Sequence, residues 1–393
     1  MRIAISGCGI AGSAVAALLA RQGHDVTVFE QAEVCRPVGA GIMLQPSGQA
    51  VLRQLRIARE VEARSAPLLG LDAWLANGRR LIQLRYHSLC GAQSDDAKSD
   101  APRAWGVHRG TLFEKLYQCC LDSGAEICNS AKLIGYERRN DGVVVKDDVG
   151  RDYDRFDFVI ASDGSRSQLR EASSLPCKQN VYRYAALWTT GVCEEVEDRL
   201  HQVIDGTRRL VGLLPIGDGR CSFFWGIRAD GYDALQSSSL QAWRAEVTEL
   251  CPQARGIVDS VASWDELTFG TYRHVRMKQW FDESTLWLGD AAHAMSPHLG
   301  QGANLALEDA FVFAESLQST GEFLAACDQF RQRRRRKIRY YQQLTRILSP
   351  FFQSDVPFLA LGRDLALPWF PRIPPIRRRM LTTLCGLNSG WFG

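Results

Sequence analysis

The apolar positions of this chain include three short runs that stop abruptly at glycine or serine, each followed by a glycine-bearing loop and a helical pattern or a polar turn. Residues 2–6 (RIAIS) read as a buried strand; Gly7, Gly9 and Gly12 then lead into helical spacing over 11–21, and 25–30 forms a second strand ending on Glu30. Residues 157–160 form a buried strand feeding Ser162-Asp163-Gly164-Ser165-Arg166-Ser167. The third run, 286–288 (LWL), ends at Gly289-Asp290 and passes through a loop holding Pro297 and Gly300-Gln301-Gly302. Helical patterns over 304–317 and 322–348 follow. This order of elements predicts an α/β fold with a Rossmann-like domain.

Between these junctions the period changes from helical to alternating. Two alternating runs flank Asn77-Gly78, and residues 131–146 flank Asn140-Asp141-Gly142; both patterns predict hairpins. A helix is expected over 110–123, strands over 184–192, 209–215 and 221–228, and a helix over 240–250. The strands belong to a mainly antiparallel β-sheet region suited to forming a ligand wall, with Trp188, Phe224, Trp225, Arg183 and Arg228 as candidates to line it. Residues 91–102 are polar and loop-like, and the tail alternates short apolar helices with proline breaks. The expected organisation is a discontinuous nucleotide-binding domain (1–70, 103–175 and 276–340), an interleaved substrate domain (71–102 and 176–275) and a helical C-terminal region (341–393).

Spacing turns the glycines into chemistry. In Gly7-x-Gly9-x-x-Gly12 one glycine makes a tight turn, the next admits a pyrophosphate to backbone N–H groups, and the third lets helix and strand pack closely. Glu30 follows where an acid can bind a ribose hydroxyl. Arg36 and the loop Pro37-Val38-Gly39-Ala40-Gly41-Ile42 offer another close backbone approach, and Arg109, at a helix start, is placed to meet a phosphate or ribityl group. The helix beginning near Gly302 presents unpaired N–H groups and partial positive charge to an electron-rich group, while Asp290 can accept hydrogen bonds from ligand hydroxyls.

Composition narrows the class further. With 47 basic and 44 acidic residues in 393, no global charge argues for nucleic acid; the basic run over 331–339 reads as a solvated helix face or core rim, with a partner or anionic surface as the alternative. Twelve cysteines without CxxC or paired-ligand spacing read as reduced thiols, and no metal site is expected. The uncharged stretch 3–20 mimics a signal peptide, but its glycines interrupt the apolar run, so a cytoplasmic protein is expected. The tail's aromatics beside Arg377-Arg378-Arg379 suit either packing across a domain junction or weak contact with a membrane surface.

Taken in this order, the three junctions resemble the single-component FAD-dependent aromatic-ring monooxygenases of the para-hydroxybenzoate hydroxylase fold. The match runs through Gly7-x-Gly9-x-x-Gly12 with Glu30, Asp163-Gly164 with Ser167 and Arg170, and Gly289-Asp290-Ala291-Ala292-His293 with Pro297, Gly300-Gln301-Gly302, Asn304, Glu308 and Asp309. Ser162, Ser47 and Cys8 depart from the usual pattern. The resemblance implies noncovalent FAD, with Glu30 on the adenosine ribose, Arg109 and Asp290 near the pyrophosphate and ribityl chain, and Gly302 and Ala303 near the isoalloxazine. It further implies that Gly41 and Ile42 face the flavin and that Asp163 serves both FAD and the pyridine nucleotide. The implied reaction uses NAD(P)H as a transient co-substrate and O2 to hydroxylate an aromatic or polycyclic small molecule through a flavin C4a-hydroperoxide. Arg183, Tyr184 and His298 are candidates for a base acting on a phenolic substrate. Epoxidation or Baeyer–Villiger oxygenation, reduction of an isoprenoid, and a non-catalytic flavin redox sensor are the alternatives.

Overall fold

The computed structural model describes residues 1–35, 39–89, 102–139, 142–193 and 195–391. Arg36, Pro37 and Val38, residues 91–101 of the polar stretch, and Asn140 and Asp141 lie outside the described residues. Four sheets are formed among the described residues. The first is parallel throughout, in the order Thr285–Trp287, Phe158–Ala161, Arg2–Ser6, Asp25–Phe29, Glu126–Cys128. Ile3, Ala4, Ile5, Phe158, Val159 and Ile160 are all fully buried, the continuous apolar pattern of parallel strands covered on both faces. Phe158 stacks on Phe323 at 4.3 Å and meets Phe313 edge-on at 6.1 Å, which anchors the two long helices Gly302–Thr320 and Phe323–Phe352 to this sheet. Ser6 pairs with Ala161 and Ala161 with Trp287, so the three junction strands finish level.

The largest sheet has seven strands in the order Thr268–Met277, Cys177–Val192, Arg220–Arg228, Arg209–Gly217, Arg199–Asp205, Gly70–Leu75, Arg80–Arg85. Its neighbours are antiparallel except that Arg199–Asp205 runs parallel to Gly70–Leu75, the pairing that brings the early hairpin into a sheet built mostly from later chain. Side chains alternate across this sheet. Leu187, Val211, Leu213, Phe223 and Trp225 face the helices Leu240–Leu250 and Arg255–Ser260, packing with Trp243, Val247, Ile257 and Val258. Trp188 and Phe224 pair on the other face at 5.3 Å. Trp225 therefore belongs to the helix-covered core and not to a ligand wall, because it is one residue out of phase with Phe224. Arg228 is tied at the sheet's rim by Asp230 and Asp355.

A three-stranded sheet (Gly41–Leu44, Ala104–His108, Ala66–Leu68) joins the two large ones, and Leu133–Arg139, Gly142–Asp147 and Asp152–Phe156 form the fourth. The joint is close: a Cβ on Gly106 would lie 1.9 Å from the Pro215 carbonyl oxygen. Strands 41–44, 104–108, 199–205 and 268–277 carry mixed or short patterns and take their strand state from partners, which is why periodicity alone passed over them. The tail forms the helices Pro357–Ala366 and Pro374–Leu384, each opened by proline, whose fixed φ and missing N–H suit a helix start.

Candidate active site

Three loops meet at the level carboxyl ends of Arg2–Ser6, Phe158–Ala161 and Thr285–Trp287. The two outer glycines of the first loop are required by packing. Gly7 has φ +92°, and a Cβ there would lie 2.9 Å from the Cα of Asp163; one on Gly12 would lie 1.9 Å from the Gly7 carbonyl oxygen. The middle glycine differs, since nothing lies within 4 Å of a Cβ built on Gly9, and the same holds for Gly302. Both face open space at the start of helices Ile10–Arg21 and Gly302–Thr320, where first-turn N–H groups have no partner within the helix. Ser162 joins first loop to second: its hydroxyl is shared between the carbonyl oxygens of Ser6 (2.9 Å) and Gly7 (3.1 Å). No sequence signal marked that role.

Acids frame the recess. Glu30 is half-buried, and its two oxygens accept from the backbone N–H groups of Cys8 (2.8 Å) and Ala32 (3.0 Å), holding the glycine loop against the end of the second strand. Its remaining lone pairs are free for a hydroxyl. Asp163 accepts from the Gln168 N–H at 2.9 Å through Oδ2, whereas Oδ1 is buried without a partner, and burial pushes this carboxyl up against the opposing hydrogen bonds. Asp290 is solvent-accessible and accepts no hydrogen bond among the described residues, yet it is surrounded closely enough for desolvation to push its carboxyl up, with His293 and Arg109 opposing. That combination places Asp290 in a concave part of the surface between the loops. Arg109 is exposed and its stem passes Gly39, whose Cβ would lie 2.9 Å from Arg109 Cδ at φ +120°.

Behind the recess the loops are locked by buried charge. Arg170, 3% exposed, donates to the Ala291 carbonyl oxygen (2.8 Å), to that of Ser165 (2.9 Å) and to Gln179 Oε1 (3.3 Å), tying the second loop to the third. Asp309 accepts from Gly289 N–H (3.1 Å) and Arg334 Nε (2.7 Å) and lies 2.5 Å from His293 Nε2, while Glu308 pairs with Arg334 and with Lys337 Nζ. Within the basic run, Arg334 and Lys337 take the core-rim side, turning inward because helix Phe323–Phe352 lays that side over Gly302–Thr320.

The third loop runs from exposed Pro297 through Gly300, in the left-handed region at φ +60°, to exposed Gly302 and half-buried Ala303. Asn304 pins it, accepting from Gln45 N–H (2.8 Å) and donating to the carbonyl oxygens of Met43 and Gly300 (3.0 Å each). Gln301 donates to the Leu384 carbonyl oxygen at 2.7 Å, so the tail closes this loop from outside, a contact invisible in the sequence. Gly41 is buried, and the space of a Cβ there is taken by Ser222 (2.6 Å) and Ile216 (2.7 Å); its missing side chain serves sheet packing, with Ile42 packed on the main core.

Of the candidate bases, the structure places His298 in the loop and Arg183 elsewhere. Arg183 is exposed on Cys177–Val192 near Asp230, and the Tyr184 hydroxyl turns to the tail, within reach of the Ser354 carbonyl oxygen (2.9 Å) and Asp355 Oδ1 (3.1 Å). His298 Nδ1 lies 2.8 Å from Ser296 Oγ and 3.3 Å from Ser349 Oγ; the two hydroxyls are 2.8 Å apart. Ser349 donates to the Thr345 carbonyl oxygen (2.7 Å), so it accepts from Ser296, which in turn accepts from an Nδ1–H. This order leaves the lone pair on Nε2, which is buried without a partner, and burial pushes the ring down to about 4, neutral at neutral pH.

Two helix N-termini, an orphaned carboxylate oxygen on Asp163 and the open positions beside Gly9 and Gly302 fit a flavin dinucleotide, and define an FAD-dependent oxidoreductase. Residues 1–336 match the family described as an FAD binding domain; the chain belongs to that family, and FAD is its cofactor. It is 30% identical over 339 residues to 3-amino-4-hydroxybenzoate 2-monooxygenase PtnB3 of Streptomyces platensis, covering 80% of this chain and 79% of that protein. It is 28% identical over 336 residues to the aurachin C monooxygenase/isomerase of Stigmatella aurantiaca, covering 83% of each. The fold is similar to that of Klebsiella pneumoniae HpxO complexed with FAD and uric acid, with a TM-score of 0.79, 21% identity, and coverage of 100% of this chain and 98% of that one.

Proposed function

We propose that the chain is a NAD(P)H- and FAD-dependent monooxygenase that uses O2 to hydroxylate an aromatic or polycyclic small molecule. The observation that carries this reading is the recess itself, open at Gly9, Asp290 and Gly302 and built in a family whose relatives are named as monooxygenases of ring compounds. Bound FAD supplies the redox chemistry, accepting reducing equivalents from NAD(P)H and activating O2. Gly9 and the following N–H groups hold the pyrophosphate, Glu30 the adenosine ribose, and Arg109 and Asp290 the chain between. The N–H groups at Gly302 and Ala303 stabilise negative charge on the ring system. The Trp188–Phe224 face forms the apolar wall, and neutral His298, through Nε2, accepts a hydrogen bond from a phenolic substrate's hydroxyl and orients it. In this reading the three junctions belong to one nucleotide-binding domain and the seven-stranded sheet to the substrate domain, as the expected division has it.

The test is turnover of the FAD-loaded protein on a panel of hydroxylated benzoates, aminobenzoates and quinolones under 18O2, followed by mass spectrometry. One 18O atom in the product, with NAD(P)H consumption that rises with substrate, is the expected result. A product heavier by two hydrogens and free of 18O would replace monooxygenation with reduction.

A further inference from the structure

The tail presents a surface that the flavin site does not use. Phe358, Leu361 and Leu365 fall at i, i+3 and i+7 of the helix Pro357–Ala366, hence on one face, and are 84%, 61% and 60% exposed. The strip continues through Trp369, Phe370 and Ile373, all exposed. Single exposed apolar side chains are ordinary, but six in one contiguous stretch of sixteen residues mark an interaction surface.

Charge selects its occupant. From Leu365 to the end the chain holds four arginines and neither Asp nor Glu. Arg372, Arg377 and Arg378 are exposed and have no acidic partner among the described residues; Arg372 lies over the Trp369 ring at 4.5 Å. The two acids at the start of this region are already engaged, Asp355 by Arg228 and Asp364 by Arg363. An acid-free cationic rim beside an apolar face with an interfacial tryptophan complements the headgroups and acyl boundary of an anionic bilayer. No described helix is long and apolar enough to cross a membrane, so the contact is interfacial.

The strip is rooted in the wall of the site. Arg363, on the buried side of the same helix, lies over the Phe352 ring at 5.6 Å and donates to the Phe351 carbonyl oxygen at 2.7 Å. Phe352 in turn packs against the same buried cluster, Ala73, Leu75, Leu81, Ile204 and Leu210, that Phe224 packs against, and sits 6.2 Å from the His298 ring. We infer that the face formed by Phe358, Leu361, Leu365 and Trp369, rimmed by Arg372, Arg377 and Arg378, docks the protein on the surface of an anionic lipid bilayer. Docking does not depend on the reaction assigned above.

The experiment is flotation of the full-length FAD-loaded protein with vesicles of phosphatidylcholine alone and of phosphatidylcholine with 30% phosphatidylglycerol, alongside sedimentation velocity without lipid. Co-flotation with the anionic vesicles is expected. Neutralising two arginines in R377Q/R378Q should lower partitioning about 30-fold, and F358S/L361S should abolish it, with flavin content and NAD(P)H oxidation in solution unchanged in both. Failure of the wild type to float with anionic vesicles, or equal flotation of R377Q/R378Q, overturns the inference. So does a dimer that F358S/L361S dissolves in the absence of lipid, which would assign the strip to a second copy of the chain.

Discussion

The Asp309 carboxylate and the His293 imidazole lie 2.5 Å apart, and the same carboxylate accepts from Arg334 and from the N–H of Gly289. One buried acid thus sets the strand end, the short helix Asp290–His293 and the long helix Phe323–Phe352 in fixed relation. Burial pushes the Asp309 carboxyl up, but His293 and Arg334 outweigh it and hold the group below its ordinary value. Removing it in Asp309→Ala leaves Arg334 short of a partner and should destabilise the protein by about 3–5 kcal/mol in urea unfolding. A depressed carboxylate stabilises the fold above its unfolded pKa of about 4 and loses that contribution as pH falls through the lower folded value. The wild type should therefore lose this increment only below about pH 4, and the variant should lack that part of its acid transition.

Gly9 and Gly12 separate ligand from packing. Gly9→Val meets no protein atom near its Cβ and should leave the apoprotein's melting temperature within a few degrees while abolishing flavin retention. Gly12→Ala, forced against the Gly7 carbonyl oxygen, should destabilise the apoprotein itself. A fully yellow Gly9→Val protein would contradict the assigned pyrophosphate approach.

Asp290 gives an opposite pairing of effects. Its carboxyl is pushed up in the folded chain, so ionisation opposes folding of the apoprotein above the ordinary carboxylate range. Asp290→Asn should slightly stabilise the apoprotein at neutral pH and weaken FAD retention, checked by thermal melting beside flavin absorbance. Unchanged flavin content would remove Asp290 from the cofactor's contacts.

Arg170 is a buried cation held by carbonyl and amide oxygens. Lysine cannot reproduce the fork that spans Ala291 and Ser165, so Arg170→Lys should cost about 2–3 kcal/mol and loosen both loops. The readout is urea unfolding together with the FAD dissociation constant, both of which should worsen.

His298 is pushed down to about 4 by burial. A histidine depressed in this way leaves stability whole above its unfolded value of about 6.5 and removes stability as pH falls from there toward 4. His298→Asn should therefore flatten the loss of stability between pH 7.5 and pH 5 by up to about 2 kcal/mol, measured as the difference in denaturant midpoints.

The α/β class, the glycine loops and the acids that follow them were legible because each rests on local geometry. A strand that must turn sharply into a helix needs glycine whatever surrounds it, and the hairpin at Asn77-Gly78 and the helix Leu240–Leu250 carry their period within their own residues. Tertiary structure alone decided what depends on partners distant in sequence. Strand pairing turned Trp225 and Phe224 to opposite faces, helix packing turned Arg334 and Lys337 inward, and Ser222 took the space beside Gly41. Packing likewise set Ser162 across two loops and Gln301 under the tail, and left the Phe358–Trp369 face uncovered. Local patterns report the conformation a segment prefers; burial, pairing and exposure are settled only when segments far apart in the chain compete for the same surface.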